Sequence, residues 1–214
     1  MADILKSGSF EPNAEAIVAA ALVLKAGGLV VIPTDTVYCL AADMGNEQTI
    51  KRFYELKGRI AEKGLPVLIN DISQLTGLTA QIPPEIAILT DFYWPGPLTL
   101  VFKKNESVQD IVTGGLPSVA VRLPGGVNCL AILEEFGGPL ASSSANISGG
   151  PAPMSAAEID PIILEGADLV IDSGICPDGI PSTIVDVSGP VWRLLREGRI
   201  TKEAIEAAVG RVLK

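Results

Sequence analysis

Thr34, Asp35 and Thr36 follow directly on Pro33, at the end of the apolar run 29–32. The chain turns apolar again over 37–42, so core packing holds this polar cluster from both sides. Pro33 offers no ladder donor, so a strand over 29–32 should end or open there. Ligands of open α/β sheets bind beyond the carboxyl ends of strands, which makes the three side chains candidate ligand contacts. A turn whose hydroxyls and carboxylate only cap local backbone would use the same residues.

Four further groups could do chemistry. Lys57-Gly58-Arg59 sets a compact charge and a planar fork at a helix end, suited to phosphate oxygens. Compensation of a helix C-terminal dipole is the plainer role for them. Ser144-Ala145-Asn146, within the run 142–150, can aim hydroxyls and backbone N–H groups at an anion, or simply form a polar turn. It lacks the G-x-x-x-x-G-K pattern of a phosphate loop. Arg122 sits among valines and needs a ligand or a core ion partner. Ser182 and Arg196 each stand at the end of an expected strand.

Absences narrow the chemistry. The chain has no histidine, which excludes Ser-His-Asp triads, Cys-His pairs and imidazole acid–base work. Cys39, Cys129 and Cys176 form no C-x-x-C pair, which points to a reducing compartment and away from structural zinc. The net charge of -9 argues against broad non-specific nucleic-acid binding. Yet Lys51, Arg52, Lys57, Arg59 and Lys63 cluster, as do Arg193, Arg196 and Arg199, a pattern that fits a local anionic ligand. No apolar run reaches the roughly 18 residues of a membrane helix, and the basic-then-apolar start of a signal peptide is missing. A cytoplasmic protein is expected.

The elements that must carry these residues follow from caps and periodicity. Asn13 and Asn46 are expected N-caps. Ile17, Ala20, Ala21 and Leu24 form the inner face of the first helix, which Gly27-Gly28 stops. The second helix buries Ile50 and Phe53 and stops at Gly58. Strands are expected over 65–69, 98–102, 119–123, 139–142 and 169–172, with a final pair over 182–187 and 191–195. Helical pieces are expected over 73–78, 83–92 and 128–136. Ser155 to Glu158 has the capping-box pattern. Thr201 caps a last helix with Ile205, Ala208, Val209 and Val212 on one face. The loops 103–118 and 173–181 are candidate lids. This mixture predicts one α/β domain over 1–214 with a mixed sheet and flanking helices.

Seven segments in order, PTDTVY (33–38), KGR (57–59), WPGPLT (94–99), VAVRLP (119–124), SSSANISG (142–149), STIVD (182–186) and LREG (195–198), resemble the YrdC family of L-threonylcarbamoyladenylate synthases. The resemblance covers about residues 12–212. It implies a single-domain twisted open sheet with a deep concave face, and no extra C-terminal domain of the kind longer relatives carry. It also implies synthesis of threonylcarbamoyl-AMP and pyrophosphate from L-threonine, bicarbonate or CO2, and ATP. A threonylcarbamoyltransferase complex would then pass the group to tRNA, and tRNA or double-stranded RNA is a further candidate partner. By the resemblance, Thr36, Arg122, Ser142 and Ser182 hold threonine. Arg59, Lys63, Ser118, Ser144, Asn146 and Arg196 hold the nucleotide, and Lys57 and Arg59 are catalytic. Mg2+ would arrive with ATP, with no side-chain ligands and no organic cofactor. Cys39 stands where the family usually has Gly, and Leu68 where archaeal relatives often carry another residue. The other reading kept open is a non-catalytic RNA-binding or ribosome-associated module on the same fold. A paralogue using another acyl-carbamate is a third.

Overall fold

The computed structural model describes residues 2–214. Ten strands form one mixed sheet: β1 (Asp3–Lys6), β2 (Val30–Pro33), β3 (Tyr38–Asp43), β4 (Val67–Leu68), β5 (Leu98–Lys103), β6 (Ser118–Arg122), β7 (Leu140–Ser144), β8 (Leu169–Asp172), β9 (Thr183–Asp186) and β10 (Arg193–Arg196). Their spatial order is β1-β8-β2-β3-β7-β4-β6-β5-β9-β10. Four pairs are parallel (β1 with β8, β8 with β2, β4 with β6, β5 with β9) and the other five are antiparallel. The helices are α1 (Ala14–Lys25), α2 (Glu47–Lys57), α3 (Leu75–Leu78), α4 (Ile86–Tyr93), α5 (Asp110–Thr113), α6 (Val127–Phe136), α7 (Pro161–Gly166) and α8 (Lys202–Val209).

Alternation along the strands divides the core between the two faces. Leu29, Val31, Tyr38 and Leu40 point to one face, with Ile50 and Phe53 of α2 and Leu89 of α4. Val30, Ile32, Cys39 and Ala41 point to the other, with Ala20 and Leu24 of α1 and Ile132 of α6. On this second face α1 and α6 pack together over β2, β3 and β8. The candidate site lies against this second face, along β3, β7, β4, β6, β5, β9 and β10.

The expected caps form. Asn13 Oδ1 accepts from Glu15 N at 3.0 Å, and Asn46 Oδ1 accepts from Gln48 N and Thr49 N at 3.1 Å each. Gly58 ends α2 at φ 54, a left-handed conformation that other residues adopt only at a cost. Thr201 caps α8 through Ala204 N.

Several expectations need correction. The stretch 103–118 is not a free flap: it contains α5, its Val108 and Val112 are buried in the core, and Leu65 N donates to Val112 O at 2.7 Å. Apolar anchors outweigh its polar composition. The Ser155 capping box does not form, since Ser155 makes no side-chain cap and Glu158 instead accepts from Met154 N at 2.9 Å. Asp160 caps α7 in its place, one residue before Pro161. Val212 lies past the end of α8 and is exposed. The short charged strand β1 had no sequence signal; pairing with β8 alone creates it.

Candidate active site

Register brings distant residues onto one face. Cys39 pairs with Ser144 and Ala41 with Ser142 across β3 and β7. Leu68 pairs with Leu140 on one side and with Arg122 on the other. Thr99 pairs with Ile184, and Ile184 with Arg196. Seven neighbouring strands, from β3 to β10, thus contribute to one wall. Above it lies a cavity of about 190 Å³, lined by Thr36, Arg59, Arg122, Ser142, Ser144, Ser182 and Arg196 among others. Cys39, Leu68 and Ile184 give it an apolar floor.

Thr34, at the end of β2, makes a tight turn. Its Oγ1 accepts from Thr36 N at 3.1 Å and Val37 N at 3.2 Å, and donates to Val37 O at 2.7 Å. The capping role and the ligand role are therefore divided: Thr34 caps, and Thr36 is left facing Arg122. Arg122 Nη1 donates to Thr36 Oγ1 at 2.9 Å, Nη2 to Asp35 Oδ1 at 2.6 Å, and Nε to Gly96 O at 2.9 Å. Arg122 is both in an ion pair and exposed to the cavity. The loop 173–181 docks on the same turn: Gly179 N donates to Thr36 O at 2.9 Å, and Pro181 lines the cavity.

The opposite side is built from β9 and β10. Ser182 Oγ lies 2.8 Å from Thr99 Oγ1, and Arg196 donates to Ser182 O and Oγ at 2.9 and 3.1 Å. Arg59 enters past Gly58, braced by its bonds to Gly64 O at 3.2 and 2.7 Å and to Lys63 O at 3.0 Å.

Lys57 occupies a different place from its expected phosphate contact. It is 1% exposed and does not line the cavity. Its amine donates to Ser144 O and, at 2.6 Å, to Asn146 O, while Ser148 N returns a bond to Lys57 O at 3.0 Å. Burial pushes this amine down to about 8. Asn146 also works within its loop: its amide donates to Ile147 O at 2.8 Å and Gly150 O at 2.7 Å, and its Oδ1 accepts from Ser144 Oγ. Lys57 and Asn146 therefore hold the 144–150 turn rather than face the cavity.

Lys63 is exposed on the turn Ala61–Lys63 and Ser118 opens β6 opposite Lys103; neither side chain lines the cavity. Ser118 lies roughly 13 Å along the strand from Arg122 at the usual rise per residue. The basic segment 51–63 is not a continuous cationic patch. Lys51 pairs with Glu47 at 2.6 Å, Arg52 forks Asp168 at 2.8 and 3.0 Å, and Lys57 is buried. Thr99 and the Gly96 carbonyl are site members that sequence reading did not assign, and Asp35 stands behind the lining, bonded to Arg122. Asp35 was visible only as part of the opening cluster.

The electrostatics follow from these contacts. Arg59, Arg122 and Arg196 are the charged residues of the lining, and no carboxylate side chain lies among them. Burial lowers the Arg59 guanidinium from its usual range, and burial followed by the like charge of Arg122 does the same to Arg196. Arginine stays protonated regardless; Arg122 is balanced by Asp35, while Arg59 and Arg196 have no acidic partner among the described residues and carry positive charge that an anionic ligand would relieve. The Cys39 thiol in the floor is pushed up to about 11 by burial, so it is no nucleophile at neutral pH.

The Sua5_yciO_yrdC family model, described as Telomere recombination, matches residues 22–198. The chain belongs to the Sua5/YciO/YrdC family. Its relatives in that family include "Threonylcarbamoyl-AMP synthase" of Pyrococcus abyssi, 40% identical over 189 residues, which are 88% of this chain and 56% of the relative. The protein of the same name in Bacillus subtilis is 39% identical over 199 residues, 92% of this chain and 58% of the relative. Among solved Sua5/YciO/YrdC structures, "Crystal structure of P. abyssi Sua5 complexed with L-threonine" superposes with a TM-score of 0.94 at 38% identity, covering 98% of this chain and 62% of that one. The chain thus spans less than two thirds of the length of these relatives. No described helix is long and apolar enough to cross a membrane.

Proposed function

We propose that the chain is an L-threonylcarbamoyladenylate synthase: L-threonine, bicarbonate or CO2, and ATP yield threonylcarbamoyl-AMP and pyrophosphate. The observation that carries this reading is the convergence of Arg59, Arg122 and Arg196 with the hydroxyls of Thr36, Ser144 and Ser182 on one cavity without a carboxylate. Such a lining suits a triphosphate beside an amino acid. The names of the relatives support it, as does the P. abyssi Sua5 structure complexed with L-threonine.

In this reading Arg122 forks the amino-acid carboxylate, with Thr36, Ser142 and Ser182 contributing hydroxyls. Arg59 and Arg196 offset charge on the phosphates, and Ser144 adds a hydrogen bond. Threonine's amine and CO2 combine to a carbamate, losing one proton. A carbamate oxygen attacks the α-phosphorus, the bond to the bridging oxygen breaks, and pyrophosphate leaves with the electron pair. The chain's contribution is positioning, exclusion of water and cations set where negative charge accumulates. No imidazole base is needed. Lys57 serves at one remove, by fixing the turn that presents Ser144. Lys63 and Ser118 would meet only parts of the nucleotide that extend beyond the cavity. Mg2+ fits here as an ion carried by the phosphates of ATP, since the lining supplies no acidic ligand; when bound it would share their charge.

The product, a mixed anhydride, would go to a threonylcarbamoyltransferase complex acting on tRNA. The test is pyrophosphate release from ATP. Release that requires both threonine and bicarbonate is expected; release indifferent to threonine would reject the reading.

A further inference from the structure

Asp35 enters the sequence reading only as one of three candidate ligand contacts, yet it is the acid that meets the site's most buried guanidinium. The Arg122 and Asp35 side chains are only 6% and 14% exposed, and their ion pair is 2.6 Å long. Asp35 is held in turn: its Oδ1 also accepts from Gly125 N at 3.0 Å. The neighbouring backbone lies so close that a Cβ on Gly126 would stand 2.9 Å from Asp35 N. Its Oδ2 is buried with no hydrogen-bond partner among the described residues. A carboxylate left half-satisfied costs stability, and its placement calls for an explanation in function.

Arginine has five N–H donors. Three of those on Arg122 are spent, on Gly96 O, Thr36 Oγ1 and Asp35 Oδ1. One donor is left on each terminal nitrogen for a ligand oxygen. Asp35 and Thr36 hold the two terminal nitrogens and Gly96 O holds Nε, so the plane of the guanidinium is fixed from three directions. We propose that Asp35 is the positioning residue that aims Arg122, and that this aim makes the cavity selective for an amino acid with a free carboxylate. The inference rests on the reading that Arg122 receives the carboxylate of threonine.

The experiment is calorimetric titration of the whole chain with L-threonine and with L-threoninamide, which lacks the carboxylate charge, together with the KM for ATP. The wild type is expected to prefer threonine by about tenfold or more, the scale of a charge-assisted fork. Asp35→Asn keeps the shape but loses the charge that orients the guanidinium. It is expected to weaken threonine by about tenfold, leave threoninamide within about twofold, and leave the KM for ATP within about twofold. A merely structural role would instead weaken all three together. An Asp35→Asn chain with the wild-type preference, or with uniform losses, overturns the inference. Should Asp35→Asn fail to fold by circular dichroism, Asp35→Glu, which displaces the charge by one methylene, is measured with the same expectation. Failure of both to fold also overturns it, because Asp35 would then be a folding residue. A wild-type chain that does not prefer threonine contradicts the role of Arg122 itself, a distinct failure from that of Asp35.

Discussion

Arg196 donates to both the carbonyl oxygen and the hydroxyl of Ser182, at 2.9 and 3.1 Å, and so ties β10 to the start of β9 at the cavity wall. A planar fork is required to reach both acceptors at once. Arg196→Lys should therefore lower kcat/KM by about 100-fold, roughly 3 kcal/mol, with the KM for ATP rising. Ser182→Ala, which leaves the carbonyl contact, should cost about tenfold and fall mainly on threonine. Steady-state kinetics with each substrate varied in turn checks both.

Gly198 lets the segment after β10 lie on the chain entering β9. A Cβ there would overlap the Pro181 carbonyl oxygen and come within 2.7 Å of Ser182 C and Thr183 N. These are backbone atoms, so relief requires moving Pro181 and Ser182, both in the cavity lining. Gly198→Ala should destabilise by about 1–3 kcal/mol and raise the KM for threonine. Urea unfolding alongside kinetics measures the two effects.

Lys57 makes a pH prediction with a definite sign. Burial lowers its amine from 10.5 to about 8 in the folded chain. Between those values the unfolded chain holds the proton more firmly, so raising the pH favours the fold. Lys57→Met removes this dependence. The stability of the wild type should therefore gain on that of Lys57→Met as pH rises from about 8 to about 10.5. The variant also strands the carbonyls of Ser144 and Asn146, and should lose about tenfold or more in nucleotide affinity. Denaturant unfolding at a series of pH values and a nucleotide titration test the pair.

Cys39, with its thiol at about 11, should be a packing residue only. Cys39→Ala is expected to keep activity within about threefold, and iodoacetamide at neutral pH should leave the wild type active. Rapid inactivation that threonine prevents would assign the thiol a direct role.

Local features were legible before the fold was known. Asn13, Asn46, Gly58 and Thr201 act on backbone within a few residues, so their spacing is sufficient to find them. Arg122 announced itself as a charge in an apolar strand. Convergence was not legible from spacing, because it depends on the order β3-β7-β4-β6-β5-β9-β10, which joins residue 39 to residue 196 through pairings of high sequence separation. The motif resemblance supplied that link. It did not separate the arginines that face the cavity from Lys57 and Asn146, which hold the turn behind it. Both kinds of residue sit in the same short signatures, and only side-chain direction distinguishes them. The loop 103–118 misled because its composition is polar while two buried valines decide its fate.

The most direct test of the shared cavity is a crystal structure of the chain with L-threonine and a non-hydrolysable ATP analogue. Both ligands are expected side by side, the carboxylate on Arg122 and the phosphates between Arg59 and Arg196. Density for either ligand elsewhere on the molecule, with this cavity holding only solvent, would contradict it.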